Sequence, residues 1–231
     1  MKSLVLGSSK GIGKEIYISL KKIGVEVTGT NSKILDTSNI QNVEKFIKNQ
    51  KPIDILILNT GGPPKKNFFE VSKDDWIKYF NQLFLSFCII LQKIKIKKNG
   101  YIFLISSHTI KRPEDDLILS NAFRVAFSSI FKTYSRLTVK KNITCINIAP
   151  GPIKTLRLKN LVGKNLKKFE NQLPLGRAGS PKEIANMICS IVKYKIKYIT
   201  GNTINFDGNL SDSLFWYLDY FLIKIKVITD P

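Results

Sequence analysis

The chain is 231 residues long and carries a formal net charge of +20, from 37 Lys and Arg against 17 Asp and Glu. That length suits one domain with an ordinary buried core, and no apolar run approaches the length of a membrane span. The charge comes from 32 Lys and 5 Arg spread along the chain, without the Arg and aromatic clustering of a nucleic-acid surface, so anionic small ligands are expected rather than nucleic acid or membrane.

Residues 2–6 make a short apolar strand ending in a glycine loop, Gly7-Ser8-Ser9-Lys10-Gly11-Ile12-Gly13. Ile12, Ile16, Leu20 and Ile23 then share one face of a helix running to about Lys22. Residues 25–30 and 53–58 read as strands, the second apolar as in a buried parallel sheet. Only Asn31-Ser32-Lys33-Ile34-Leu35 separate the earlier strand from Asp36. That is too short for a helical crossover, so the helix expected after the second strand is missing and a tight loop replaces it. The pattern continues with a long amphipathic helix over 76–96, a strand over 101–106 and a helix over 120–139. A strand over 143–148 ends at Pro150-Gly151-Pro152, and Ser180-Pro181-Lys182-Glu183 opens a helix with a capping box. A last strand over 203–206 ends at Asp207-Gly208. Strands alternating with helices imply an α/β, doubly wound and mostly parallel sheet in a single domain of residues 1–210. Cys88, Cys145 and Cys189 lie in apolar stretches without ligand spacing, so reduced thiols, no metal and a cytoplasmic location are expected.

A glycine loop between a strand and a helix offers free backbone N–H groups and a positive helix end to a pyrophosphate. Gly11 and Gly13 allow close approach where a Cβ would collide. With this loop stand Asp36-Thr37, Asn59-Thr60-Gly61, Ile105-Ser106-Ser107 and Pro150-Gly151-Pro152-Ile153-Lys154-Thr155. Leu175-Gly176-Arg177 and Tyr198-Ile199-Thr200-Gly201 follow, ahead of Asp207-Gly208. In that order and spacing the chain resembles a short-chain dehydrogenase/reductase with a Rossmann-type sheet, close to the 3-oxoacyl-(acyl-carrier-protein) reductase-like branch.

The resemblance implies a nicotinamide dinucleotide held by Gly7, Ser9, Lys10, Gly11, Ile12 and Gly13. Asp36 would meet the adenine amino group, and Asn59 and Gly61 the adenine ribose. Ile153, after Pro150 and Gly151, would meet the nicotinamide carboxamide, and Thr155 the pyrophosphate. The second strand ends without the acid that NAD-users place there. Lys10, Asn31, Ser32 and Lys33 would instead meet a 2′-phosphate, which favours NADP(H) over NAD(H). The other reading of Lys10 and Lys33 is as two solvated lysines among 32.

Carbonyl reduction needs a hydride and a proton. The resemblance implies a tyrosine as proton donor, a lysine one helical turn later, a serine that polarises the carbonyl and an asparagine that holds a relay water. Ser107 fits the serine, but the other three positions hold Ser120, Arg124 and Leu83. An aliphatic hydroxyl is a far weaker acid than a phenol, whose pKa is about 10, and it reaches less far. Arg124 can still bond the nicotinamide ribose, with a forked rather than point-like charge. The proton would then come from water, from Ser120, or from His108, the sole histidine, directly after Ser107. A loop histidine otherwise serves packing or the surface.

Over 156–174, where the family has its substrate lid, Leu156, Leu158, Leu161, Val162, Leu166 and Phe169 alternate with lysines. They suit an apolar small-molecule substrate with an anionic end, or form an ordinary amphipathic helix pair. Residues 211–231 are an apolar C-terminal extension suited to packing against a sister subunit in a homodimer or homotetramer. The expected function is an atypical NADP(H)-dependent short-chain oxidoreductase reducing a carbonyl, of 3-oxoacyl type. The alternative is a catalytically silent NADP(H)-binding sensor or assembly subunit.

Overall fold

A computed structural model of the chain describes residues 1–211. The expected C-terminal extension lies, but for its first residue, outside the described residues. Six parallel strands form one sheet in the order β2-β1-β3-β4-β5-β6. They are β1 (Lys2–Val5), β2 (Glu26–Gly29), β3 (Ile53–Leu58), β4 (Ile96–Ile105), β5 (Thr144–Pro150) and β6 (Asn202–Phe206). The helices between them are α1 (Gly11–Lys22), α2 (Ile40–Lys48), α3 (Lys73–Phe80), α4 (Ser86–Lys93), α5 (Ile118–Thr138), α6 (Leu156–Val162), α7 (Leu166–Asn171) and α8 (Pro181–Lys193). The strand order turns back between β1 and β3, the place where open α/β sheets leave a crevice for ligands.

Both faces of the sheet are covered, and the alternation of side chains along each strand decides which helices they meet. Leu56, Leu58, Ile102 and Leu104 point one way, into a cluster with Val43 of α2, Phe87 and Ile90 of α4, and Phe127 and Phe131 of α5. Their neighbours Ile55, Ile57, Phe103 and Ile105 point the other way, to Ile16 and Leu20 of α1 and Ile184 and Ile188 of α8. Burying each Leu, Ile or Phe stabilises the fold by about 1.5–3 kcal/mol relative to exposure, and this explains why strands covered on both sides read as continuous apolar runs.

The short segment after β2 folds as a turn, with Asn31 Oδ1 accepting from the N–H groups of Lys33 and Ile34. No strand follows it, and β2 is the sheet edge. The crossover from β2 to β3 is nonetheless helical, because α2 lies beyond Asp36, opened by Asn39, whose side chain accepts from Asn42 N–H. The expected missing helix is thus a displaced one. The long helix expected over 76–96 is interrupted by a π turn at Asn81–Leu85, which joins α3 to α4. It ends at Lys93, and β4 begins earlier than expected because Ile96 pairs with Ile53.

Candidate active site

A cleft of about 520 Å³ opens at the C-terminal ends of the strands. Its floor is set by Asn59, just past β3, whose Nδ2 donates to Leu6 O and Gly7 O, both at 3.2 Å, and so ties β3 to the end of β1. Gly7 turns the chain with φ of +61°, and Gly11 follows with φ of +57°, values that favour glycine. Two predicted cofactor residues, Gly13 and Lys33, are set back from the cleft. Gly13 is the one whose position the loop packing explains. A Cβ there would lie 2.2 Å from Gly7 O and 2.7 Å from Asn59 Nδ2, so its smallness serves the packing of α1 beneath the loop rather than contact with a ligand. The first turn of α1 receives no side-chain cap from Lys10, and Lys10, Gly11 and Ile12 line the cleft. Its free N–H groups and positive end therefore face a ligand.

Ser9, Asn31, Ser32, Asp36, Asn59 and Gly61 line the same end. The side-chain oxygen of Asn31 is occupied by its own turn, which leaves the amide NH₂ to donate outward. Asp36 accepts from Ser38 N–H at 2.9 Å and Ser38 Oγ at 2.7 Å through one oxygen. Thr37 and Thr60 hydroxyls meet at 3.1 Å and close the wall. These groups could hold a dinucleotide: a glycine cradle, an uncapped helix end and one carboxylate stand in line.

At the other end Ser107, His108, Ser120, Arg124, Pro150, Gly151, Ile153 and Thr155 also line the cleft. Ser107 follows β4, and its Oγ accepts from Thr109 N–H at 3.3 Å. Ser120, in the first turn of α5, is only 5 % exposed, and among the described residues its hydroxyl has no hydrogen-bond partner. Arg124, one turn on, donates through Nη1 to Ile105 O (3.0 Å) and Ser106 O (3.2 Å). Burial, and secondarily the charge of Arg157, pulls its pKa down to about 10, which leaves it a cation at neutral pH. Leu83 is buried against Tyr79 and Leu119 and offers no polar atom where a relay water would sit.

His108 is an anchor. Its Nδ1 faces Pro150 O at 3.2 Å and its Nε2 faces Glu114 Oε1 at 2.7 Å. Both ring nitrogens are thus occupied by protein partners. No ring N–H is left over for a substrate, which argues against the direct proton-donor role that its position in the sequence invites. The pairing also holds the Glu114 carboxyl below its usual range, the hydrogen bond from His108 being the main cause.

Three cleft residues escaped the sequence reading. Gln82, in the π turn, donates to Gly61 O at 2.7 Å and braces the loop after β3. Glu114 is the partner of His108. Arg157 of α6 donates to Gly62 O at 2.9 Å and Pro63 O at 2.7 Å, strapping the segment after Thr155 across the cleft. A signal for it existed: it is one of only five arginines in a chain that otherwise uses lysine. The segment itself is a pair of short helices, α6 and α7, with Leu156, Leu158, Leu161, Val162 and Phe169 turned to the cleft. The segment is thus a helix pair whose apolar side covers the cleft. Among the described residues no cluster of His, Cys, Asp or Glu could hold a metal, and no helix is long and apolar enough to cross a membrane.

Comparison with known proteins matches this arrangement. Residues 20–211 fit the family model described as Enoyl-(Acyl carrier protein) reductase. The chain is 28 % identical over 235 residues to a 3-oxoacyl-(acyl-carrier-protein) reductase of Buchnera aphidicola subsp. Schizaphis graminum, covering 90 % of this chain and 96 % of that one. It is 27 % identical to an acetoacetyl-CoA reductase of Shinella zoogloeoides, over 89 % of this chain and 96 % of that one. A short chain dehydrogenase family protein from Francisella tularensis superposes with a TM-score of 0.83 at 20 % identity, over 92 % of this chain and 99 % of that one. The L-sorbose reductase of Gluconobacter frateurii, solved with NADPH and L-sorbose, superposes with a TM-score of 0.79 at 21 % identity, over 92 % and 97 %. The glycine cradle, the strand order and the family match over residues 20–211 lead to one conclusion: the chain belongs to the short-chain dehydrogenase/reductase family, whose members are oxidoreductases of carbonyl and hydroxyl groups.

Proposed function

We propose that the chain is an NADP(H)-dependent reductase of a carbonyl substrate, of the 3-oxoacyl kind named for its relatives, working without the family's phenolic acid. The observation that carries this reading is that Ser107, Ser120 and Arg124 line the same cleft as the glycine loop. When bound, the nicotinamide would supply the hydride. Ser107 donates a hydrogen bond to the substrate carbonyl and orients it. Arg124, held by the carbonyls at the end of β4, bonds the ribose and favours negative charge on the reacting oxygen. The free hydroxyl of Ser120 passes a proton from water. NADP(H) rather than NAD(H) is supported by Lys10, Asn31 and Ser32 around the far end and by the absence of an acid at the end of β2. Exposed Ile77, Phe80, Val125 and Ile130 on α3 and α5 support self-association into a homodimer or homotetramer.

A second reading is favoured by one specific feature. Leu83 and Ser120 remove the relay asparagine and the phenol together, as in a nucleotide-binding protein that no longer turns over. Following NADPH absorbance over a panel of 3-oxoacyl thioesters, 2-oxo acids and sugar ketones separates the two. Consumption of NADPH by any of them supports the reductase. Tight NADPH binding with no consumption across the panel leaves the silent binder standing.

A further inference from the structure

The charges around the cleft are unevenly matched. Lys65 pairs with Asp116 at 2.7 Å and Glu114 with His108 at 2.7 Å, and Asp36 is held by Ser38. Arg124 and Arg157 have no carboxylate among the described residues. Each is gripped by main-chain carbonyls alone, Arg124 by those of Ile105 and Ser106, Arg157 by those of Gly62 and Pro63. Carbonyl oxygens fix the direction of a guanidinium without cancelling its charge. A guanidinium has five N–H donors, so both retain donors beyond those used.

The grip on Arg157 is built into the backbone. A Cβ at Gly62 would lie 2.8 Å from Arg157 Cζ, so only a residue without a side chain lets the guanidinium lie against that loop. The charge of Arg157 also reaches Arg124, where it adds to the burial that lowers its pKa. Arg157 is exposed on its outer side, so water screens its charge without cancelling it, and an anion entering the cleft would meet an unpaired guanidinium. A cofactor phosphate has its donors elsewhere, at the uncapped start of α1 and Lys10. Arg157 instead stands on α6 among Leu156, Leu158 and Leu161, which line the same cleft.

We propose that Arg157, its charge added to that of Arg124, takes a carboxylate on the substrate, so that within the 3-oxoacyl kind the chain acts on free oxo acids with an apolar tail rather than on neutral thioesters or ketones. The proposal rests on the carbonyl-reductase reading for its chemistry but not for its binding. The lysines between the apolar lid residues, which appear in the sequence to supply the anionic preference, are not the source: Lys159, Lys167 and Lys168 are exposed and do not line the cleft.

The test is calorimetric titration of the NADPH-saturated protein with hexanoate and with hexanamide, which match in shape and differ in charge. Hexanoate is expected to bind about tenfold tighter or more. R157Q brings the two within about twofold, R157K gives an intermediate preference, and K159Q, which removes the same charge from an exposed position on α6, leaves the wild-type ratio. Equal binding by the wild type, or an unchanged preference in R157Q, overturns the proposal. A preference for hexanoate that appears only without NADPH and is abolished by it assigns the pair to a cofactor phosphate, and also overturns it. If hexanoate binds as expected but no oxo acid consumes NADPH, the anion site stands and the reductase reading fails.

Discussion

Glu114 Oε1 lies 2.7 Å from His108 Nε2, and through the other ring nitrogen the same imidazole reaches Pro150 O. One side chain thus joins the loop after β4 to the end of β5 at the wall of the cleft. E114Q keeps the shape and removes the charge. Because the carboxylate is over a third exposed, the expected loss in urea unfolding is about 1 kcal/mol or less. H108A also opens a void and orphans both partners, and should cost about 2–3 kcal/mol. A mutant that loses turnover at unchanged stability would instead restore the histidine as a proton donor.

Gly13 and Gly24 should both lose stability on substitution by alanine but differ in NADPH binding. At Gly13 the new Cβ would fall 2.2 Å from Gly7 O, and that backbone must shift. The expectation is a loss of about 1–3 kcal/mol together with about tenfold or weaker NADPH binding. At Gly24 the space is open and only φ of +80° is strained. G24A should cost about 1–2 kcal/mol in unfolding with NADPH binding intact. Fluorescence titration with NADPH distinguishes them.

Restoring the phenol tests whether the scaffold still orients it. S120Y combined with R124K and L83N should raise kcat/KM on a reducible carbonyl about 100-fold, the ordinary worth of a positioned general acid. NADPH consumption reads the result. No gain in a variant that folds and binds NADPH would favour the silent reading.

Stability in acid should hinge on Glu183 at the start of α8. It accepts from Arg177 at 2.8 and 3.1 Å and from Ser180 N–H at 2.7 Å, and the Arg177 bond is the main reason its pKa falls to about 2. A carboxyl depressed in the folded state stabilises above its ordinary value of 4.5 and loses that contribution as pH falls toward about 2. Wild type should therefore melt higher than E183Q at pH 7, by an amount consistent with about 1 kcal/mol for so exposed a pair, and the gap should close across that acid window.

Much of the scaffold was legible because its signals are local. The glycine loop, the apolar run at Ile53–Leu58 and the capping box at Ser180 and Glu183 each declare their element within a few residues. The helix α2 was missed although Ile40, Val43 and Ile47 keep helical spacing behind the Asn39 cap, because the short loop before Asp36 suggested that no room was left for a crossover helix. The π turn was invisible because apolar spacing through Tyr79, Leu83 and Phe87 fits an ordinary helix. In the cleft, residues on the glycine loop and strand ends announced themselves by spacing. Gln82, Glu114 and Arg157 did not, because each acts on a partner distant in sequence or on a main-chain carbonyl, and neither leaves a motif.

The π turn carries a practical implication for remodelling the molecule. Its extra residue offsets α3 from α4 by about 100°, so the two halves are phased independently, one to the start of α5 and one to the sheet. Shortening Asn81–Leu85 by a single position would rewind it to regular helix and rotate everything upstream. Gln82 would swing off Gly61 while Phe87 and Ile90 stayed seated. Such a deletion offers a route to a chain that keeps its architecture yet has lost its grip on ligands, a control that point substitutions inside the crevice do not provide.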